Sequence, residues 1–137
     1  MRIKCNILLI IVVSSVFISS CKDNNEDNDH YESLLTGIYR NDSESDVQKL
    51  SFSYNGTELT GKKVEFTVKS PLKAVLIFEN IISGENKTQF FVDLIGGSGE
   101  NDFIYEFNGI YETKTFQKIN YSGKIKQNLL VLNLDDK

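Results

Sequence analysis

The chain has 137 residues, 40% hydrophobic and 25% charged, with a formal net charge of −4, two Cys, one His and no Trp. That is one domain's worth of chain. A single imidazole removes the Ser-His-Asp relay, two-His zinc sites and Cys-His nucleophile pairs, so a conventional hydrolase is not expected.

In chain order, the first element is a targeting segment rather than part of a fold. Arg2 and Lys4 precede an apolar run from Ile7 to Val13, Ser14 and Ser15 interrupt it, and Val16 to Ile18 complete it before Ser19, Ser20 and Cys21. The stretch is shorter than the ~20 apolar residues of a membrane span, so residues 1–20 read as a secretory signal. Ile18, Ser19, Ser20 and Cys21 resemble the bacterial lipobox, in which an aliphatic residue and two small ones precede the cysteine that receives lipid. The resemblance implies cleavage before Cys21 and a thioether from its sulfur to diacylglycerol, with no other cofactor. Cys5 leaves with the signal, so no intrachain disulfide remains possible, and two buried acyl chains suffice for stable anchoring.

Loss of Arg2 and Lys4 takes the formal charge from −4 to −6 over residues 21–137. An acidic chain without a Lys/Arg cluster repels phosphate backbones, so nucleic acid is not an expected partner. Residues 22–29, Lys-Asp-Asn-Asn-Glu-Asp-Asn-Asp, hold nothing apolar to bury and predict a disordered tether over residues 21–29. An acidic stretch directly after a lipidated cysteine resembles the export signal of surface lipoproteins in Bacteroides-type bacteria. Lys22, Asp23, Glu26 and Asp27 carry that resemblance, which implies an outer-membrane lipoprotein at the cell surface.

From about residue 30 to residue 137 the pattern has period two, which predicts an all-β domain: a small antiparallel barrel or sandwich of about eight strands. Leu50, Phe52 and Tyr54 alternate with serines, and Val64, Phe66 and Val68 with Glu65, Thr67 and Lys69. Phe103, Tyr105, Phe107 and Tyr111 form one expected face, and Ile119, Tyr121 and Ile125 another. Ala74–Phe78, Phe90–Ile95 and Leu129–Leu132 are apolar on both faces and predict central strands or strands covered on both sides. Asn55-Gly56 predicts a tight hairpin, and short hairpins imply antiparallel neighbours.

Leu35-Thr36-Gly37-Ile38-Tyr39 resembles the opening strand of calycin-like, lipocalin-related β-domains in Bacteroides lipoproteins. The passage from Leu50 to Phe66 and the segment Asn80-Ile81-Ile82-Ser83-Gly84-Glu85 are similar to an uncharacterised lipoprotein family of those bacteria. The resemblance implies a fold and supplies no catalytic residue.

Sharper chemical readings are weak. Asp42-Ser43-Glu44-Ser45-Asp46 starts like a calcium loop, but Val47 and Ser53 stand where that loop needs Gly and Glu, so no metal site is expected. Gly96-Gly97-Ser98-Gly99 lacks the helix start of a phosphate cradle and predicts a flexible rim loop up to Asp102. Asp93, Glu106 and Glu112 could in principle form a carboxylate pair for glycoside hydrolysis, but alternating acids on strands are usually solvated. The expected function is binding: of a glycan, peptide or envelope partner through loops or a sheet face, or, as a lipocalin-like carrier, of a small apolar ligand inside the barrel.

Overall fold

The computed structural model describes residues 34–42, 47–97 and 102–137. The signal segment, the lipobox residues Ile18, Ser19 and Ser20, Cys21, the candidates Lys22, Asp23, Glu26 and Asp27, and most of the acidic loop at 43–46 lie outside them. Ten strands are described: β1 (Gly37–Arg40), β2 (Lys49–Tyr54), β3 (Thr57–Glu58), β4 (Lys63–Ser70), β5 (Lys73–Glu79), β6 (Lys87–Asp93), β7 (Ile95–Gly96), β8 (Tyr105–Glu112), β9 (Lys118–Lys126) and β10 (Leu129–Asp136). They form one sheet in the order β6-β5-β4-β1-β2-β10-β9-β8-β7, with β3 appended to β2. The result is a nearly closed all-β barrel.

Period two assigns the faces. Val64 and Phe66 of β4, Leu76 and Phe78 of β5, Phe90 and Val92 of β6, and Leu130, Leu132 and Leu134 of β10 are all buried, while their strand neighbours mostly face out. The Asn55-Gly56 turn forms as its sequence demands, with both residues at positive φ (49° and 74°), joining β2 to β3. That hairpin is a short spur, and β4 turns away from β2 to pair with β1. β2 instead runs parallel to β10, Leu130 beside Leu50 and Leu132 beside Phe52. The barrel is therefore mixed, with a parallel seam between strands far apart in sequence.

The sheet closes by reusing one stretch of chain. β6 pairs with β5, the chain bends at Leu94, whose N–H bonds the Leu72 carbonyl at 2.9 Å, and β7 then pairs with β8. Continuing the β7–β8 register, Ile95 to Glu106, sets Phe90 against Tyr111, and those rings lie 4.7 Å apart. One strand thus touches both ends of the sheet.

Tight closure needs room on the inner face, which glycine supplies at Gly109 and Gly123. Gly123 lies opposite Phe107 and Gly109 opposite Tyr121, and each ring lies over the glycine where a Cβ would be. At Gly123 the Val131 carbonyl also crowds that position, so the backbone cannot give way. Gly123→Ala should therefore destabilise the fold by roughly 1–3 kcal/mol, as overpacking does. Urea unfolding checks this, and an unchanged midpoint would contradict the account of closure.

Candidate functional site

Side chains fill the barrel interior. Phe52 meets Phe78 at 5.6 Å, Phe78 meets Phe90 at 5.1 Å, and Phe90 stacks on Tyr121 at 4.8 Å, while Phe66 sits between Tyr39 and Phe107. Leu35 is fully buried, and Tyr39, also buried, donates to its carbonyl at 2.7 Å. Burial pushes the Tyr39 hydroxyl up to about 12. These rings occupy the space in which a lipocalin-like carrier holds its ligand.

Several large apolar side chains are exposed, Phe116, Phe91 and Val47 the most, and those around Phe91 cluster on one sheet face. Because β6 alternates, burying Phe90 and Val92 turns Phe91 outward, where it is 75% exposed. Val75 lies opposite it on β5, and the two help line an outer-face hollow of about 490 Å³ whose rim carries Lys69, Lys73, Gln89 and Asp93. A second hollow of about 80 Å³ lies beside it, with Ile38 and Ile77 between Lys63, Glu65, Glu79 and Lys87. Ile95 and Ile110 are also more than half exposed. The run Phe90–Ile95, expected to be a central strand or one covered on both sides, is covered on one face. An apolar outer face with convergent polar groups is the best-formed candidate for binding among the described residues.

Two polar clusters secure the end of the barrel. Glu85, 6% exposed, accepts from Thr88 Oγ1 at 3.1 Å, from Tyr111 OH at 2.8 Å and from the Lys114 N–H at 3.2 Å, clipping the β5–β6 loop to the β8–β9 turn. The tight turn Ile82–Glu85, closed by a 3.0 Å bond from the Glu85 N–H to the Ile82 carbonyl with Gly84 at φ 82°, aims the carboxylate inward. Sequence reasoning gave Glu85 no role, since its only signal is this turn chemistry beside the buried Ile82. Asp136, fully at the surface, accepts from Tyr54 OH at 2.5 Å, Asn55 Nδ2 at 3.0 Å and Gln117 Nε2 at 2.9 Å. The Tyr54 and Asn55 bonds hold its carboxyl below the ordinary carboxylate value.

The remaining candidates separate. Asp93 is ion-paired with Lys73, Glu106 faces Lys124 and Glu112 faces Lys118, all on the outer face. Asp93 and Glu106 border different hollows, so the arrangement is that of solvated strand acids. Phe103 leaves the face expected for it. Phe103 and Ile104 precede β8 and do not follow its alternation: Ile104 and Tyr105 both pack against the core, and Phe103 packs outside it, with the Lys124 and Lys126 ammonium groups 4.5 and 5.1 Å from its ring centre. Of the Gly96–Asp102 loop only Gly96, Gly97 and Asp102 are described. Of the calcium-like loop, the described Asp42 pairs with Arg40 at 3.6 Å, and no metal-holding cluster occurs among the described residues. No family model, curated protein or solved structure matches this chain.

Tyr54 and Tyr111 are also pushed up to about 12, first by desolvation and then by the carboxylates of Asp136 and Glu85. A raised folded pKa means that these hydroxyls stabilise the fold fully below the ordinary 10.0 and cease to do so as the pH climbs toward 12. Tyrosinate absorbance should therefore rise in step with loss of near-UV dichroism over that range. Ionisation of Tyr39, Tyr54 and Tyr111 near pH 10 with the fold intact would contradict it. Glu85→Gln places an amide N–H₂ among three donors and should cost roughly 1–3 kcal/mol in thermal unfolding, whereas an unchanged Tm would show the clip to be idle.

Proposed function

We propose that this protein is a lipid-anchored cell-envelope module that binds a partner through the outer sheet face around Phe91 and performs no reaction of its own. The reading of residues 1–29 supplies the location: cleavage before Cys21, a diacylglycerol thioether on its sulfur, and an acidic tether that sends the domain to the outer surface. The observation that carries the binding reading is Phe91. Phe91 flanks the buried Val75 but leaves three quarters of its ring in water, and such a ring on a small domain with a filled core suits an interface. The carrier alternative would require displacing Phe78, Phe90 and their neighbours, which are packed ring on ring.

Two measurements test this. Cys21→Ala should move the protein from the detergent phase to the aqueous phase and abolish acyl mass on residue 21, and a variant that stays with the membrane would overturn the anchor. On arrayed peptides and glycans, Phe91→Asp should lower every specific signal at least about tenfold, as loss of a central aromatic anchor does, with the protein still folded by near-UV dichroism. Binding indifferent to Phe91 would overturn the assignment of the face.

A further inference from the structure

The face around Phe91 has an order that specifies more than apolar contact. Reading its outward positions row by row across β1, β4, β5 and β6, the first row is Arg40, Lys63, Glu79 and Lys87. The second row is Ile38, Glu65, Ile77 and Gln89, and the third is Thr67, Val75 and Phe91. Lys69 and Lys73 with Asp93 close the face. Two rows rich in apolar groups thus lie between two rows rich in lysine. Arg40 is paired with Asp42 and Lys73 with Asp93; Lys63, Lys69 and Lys87, all in the two end rows, form no ion pair among the described residues, and neither do Glu79 of the first row and Glu65 of the second, so each end row keeps one net positive charge. The surplus is positive on a chain whose formal charge is −4. The complement of such a face is acidic at both ends and apolar between.

The spacing narrows the form of that partner. Ile77 and Val75, which mark the two hollows, are two residues apart on β5, about 6.6 Å along a strand. An extended peptide repeats its same-side side chains at that interval. Resting on the binding role proposed above, we infer that the face takes an extended acidic peptide of the pattern acid–any–apolar–any–apolar–any–acid, whose four named side chains share one side. A small aliphatic side chain enters the hollow at Ile38 and Ile77, an aromatic one lies against Phe91, and the flanking carboxylates meet Lys63 and Lys87 at one end and Lys69 at the other.

The probe is the capped heptapeptide Glu-Ser-Val-Thr-Phe-Ser-Glu, made in both sequence directions, with one counterpart carrying Gln for Glu and another carrying Lys for Glu. It is titrated into residues 30–137 and into the full-length chain in detergent, followed by amide chemical shifts. The acidic peptide should shift β4, β5 and β6 resonances and bind at least about tenfold more tightly than the lysine counterpart, with most of that difference lost at 0.5 M salt. Phe91→Ser should abolish the shifts, and Lys69→Glu should weaken binding several-fold while the Gln counterpart is little affected. Equal, Phe91-dependent binding of all three peptides would overturn the acidic specificity and leave the binding face standing. Failure of any peptide to shift these residues would overturn both. Shifts of the same residues that grow with protein concentration alone, or that polygalacturonate produces at lower concentration than the peptide, would overturn the peptide in favour of a second copy or an anionic glycan.

Discussion

The strand from Lys87 to Gly96 is the piece on which the barrel depends, because it pairs with β5 along its first part and with β8 along its last. A sheet of this size has two edges to satisfy, and an exposed edge invites pairing with other chains. Here the bend at Leu94 brings the two ends of the sheet together, and the contact above it is made by rings. Phe90 lies against Tyr111 and Tyr121 on the inside, and Glu85 ties the adjoining loop to the Tyr111 hydroxyl and the Lys114 amide. Closure is thus a local event of one strand, one aromatic stack and one buried carboxylate. Gly109 and Gly123 let the neighbouring strands curve to meet it.

The same strand creates the exposed face. Successive side chains of a strand point to opposite sides, so a Phe-Phe pair cannot place both rings inside. With Phe90 committed to the stack, Phe91 must stand outside, beside Val75 and, by the β7–β8 register continued along the strand, toward Ile110. The seam and the proposed binding face are therefore two sides of one strand. A ligand on Phe91 would bear on the backbone that closes the barrel.

How far the sequence foretold this varies with the range of the interaction. The alternation of Val64, Phe66 and Leu76, Phe78 named most of the core because burial on one face of a strand is a local property. Asn55-Gly56 named its turn because positive φ is a property of two residues. What escaped was non-local. Leu130 and Leu132 announce a buried strand without saying that β10 lies parallel to β2. The two-residue strands β3 and β7 are too short for any periodicity. Phe103 reads as a member of the β8 face, but the strand starts only at Tyr105, and both Ile104 and Tyr105 turn to the core. Phe90–Ile95 reads as covered on both sides because composition records apolarity and not whether a cover belongs to the same chain.

That last difference bears on how a small outer face can matter to its bearer. Two shallow hollows and a few unpaired lysines make a weak site, since association has to overcome lost translational freedom before contact energy counts. A tether changes the arithmetic, because a module held at a surface meets partners on that surface at an effective concentration that reaches the millimolar range for short flexible linkers. A face of modest affinity is then occupied without further contacts, and it releases its partner quickly. With Cys21 lipidated as proposed, the anchor supplies the encounter and Phe91, flanked by lysines, needs only to select. Such a division would fit the filled aromatic core of this chain, because a scaffold that selects by the spacing of rows on one sheet face has to keep those rows in register.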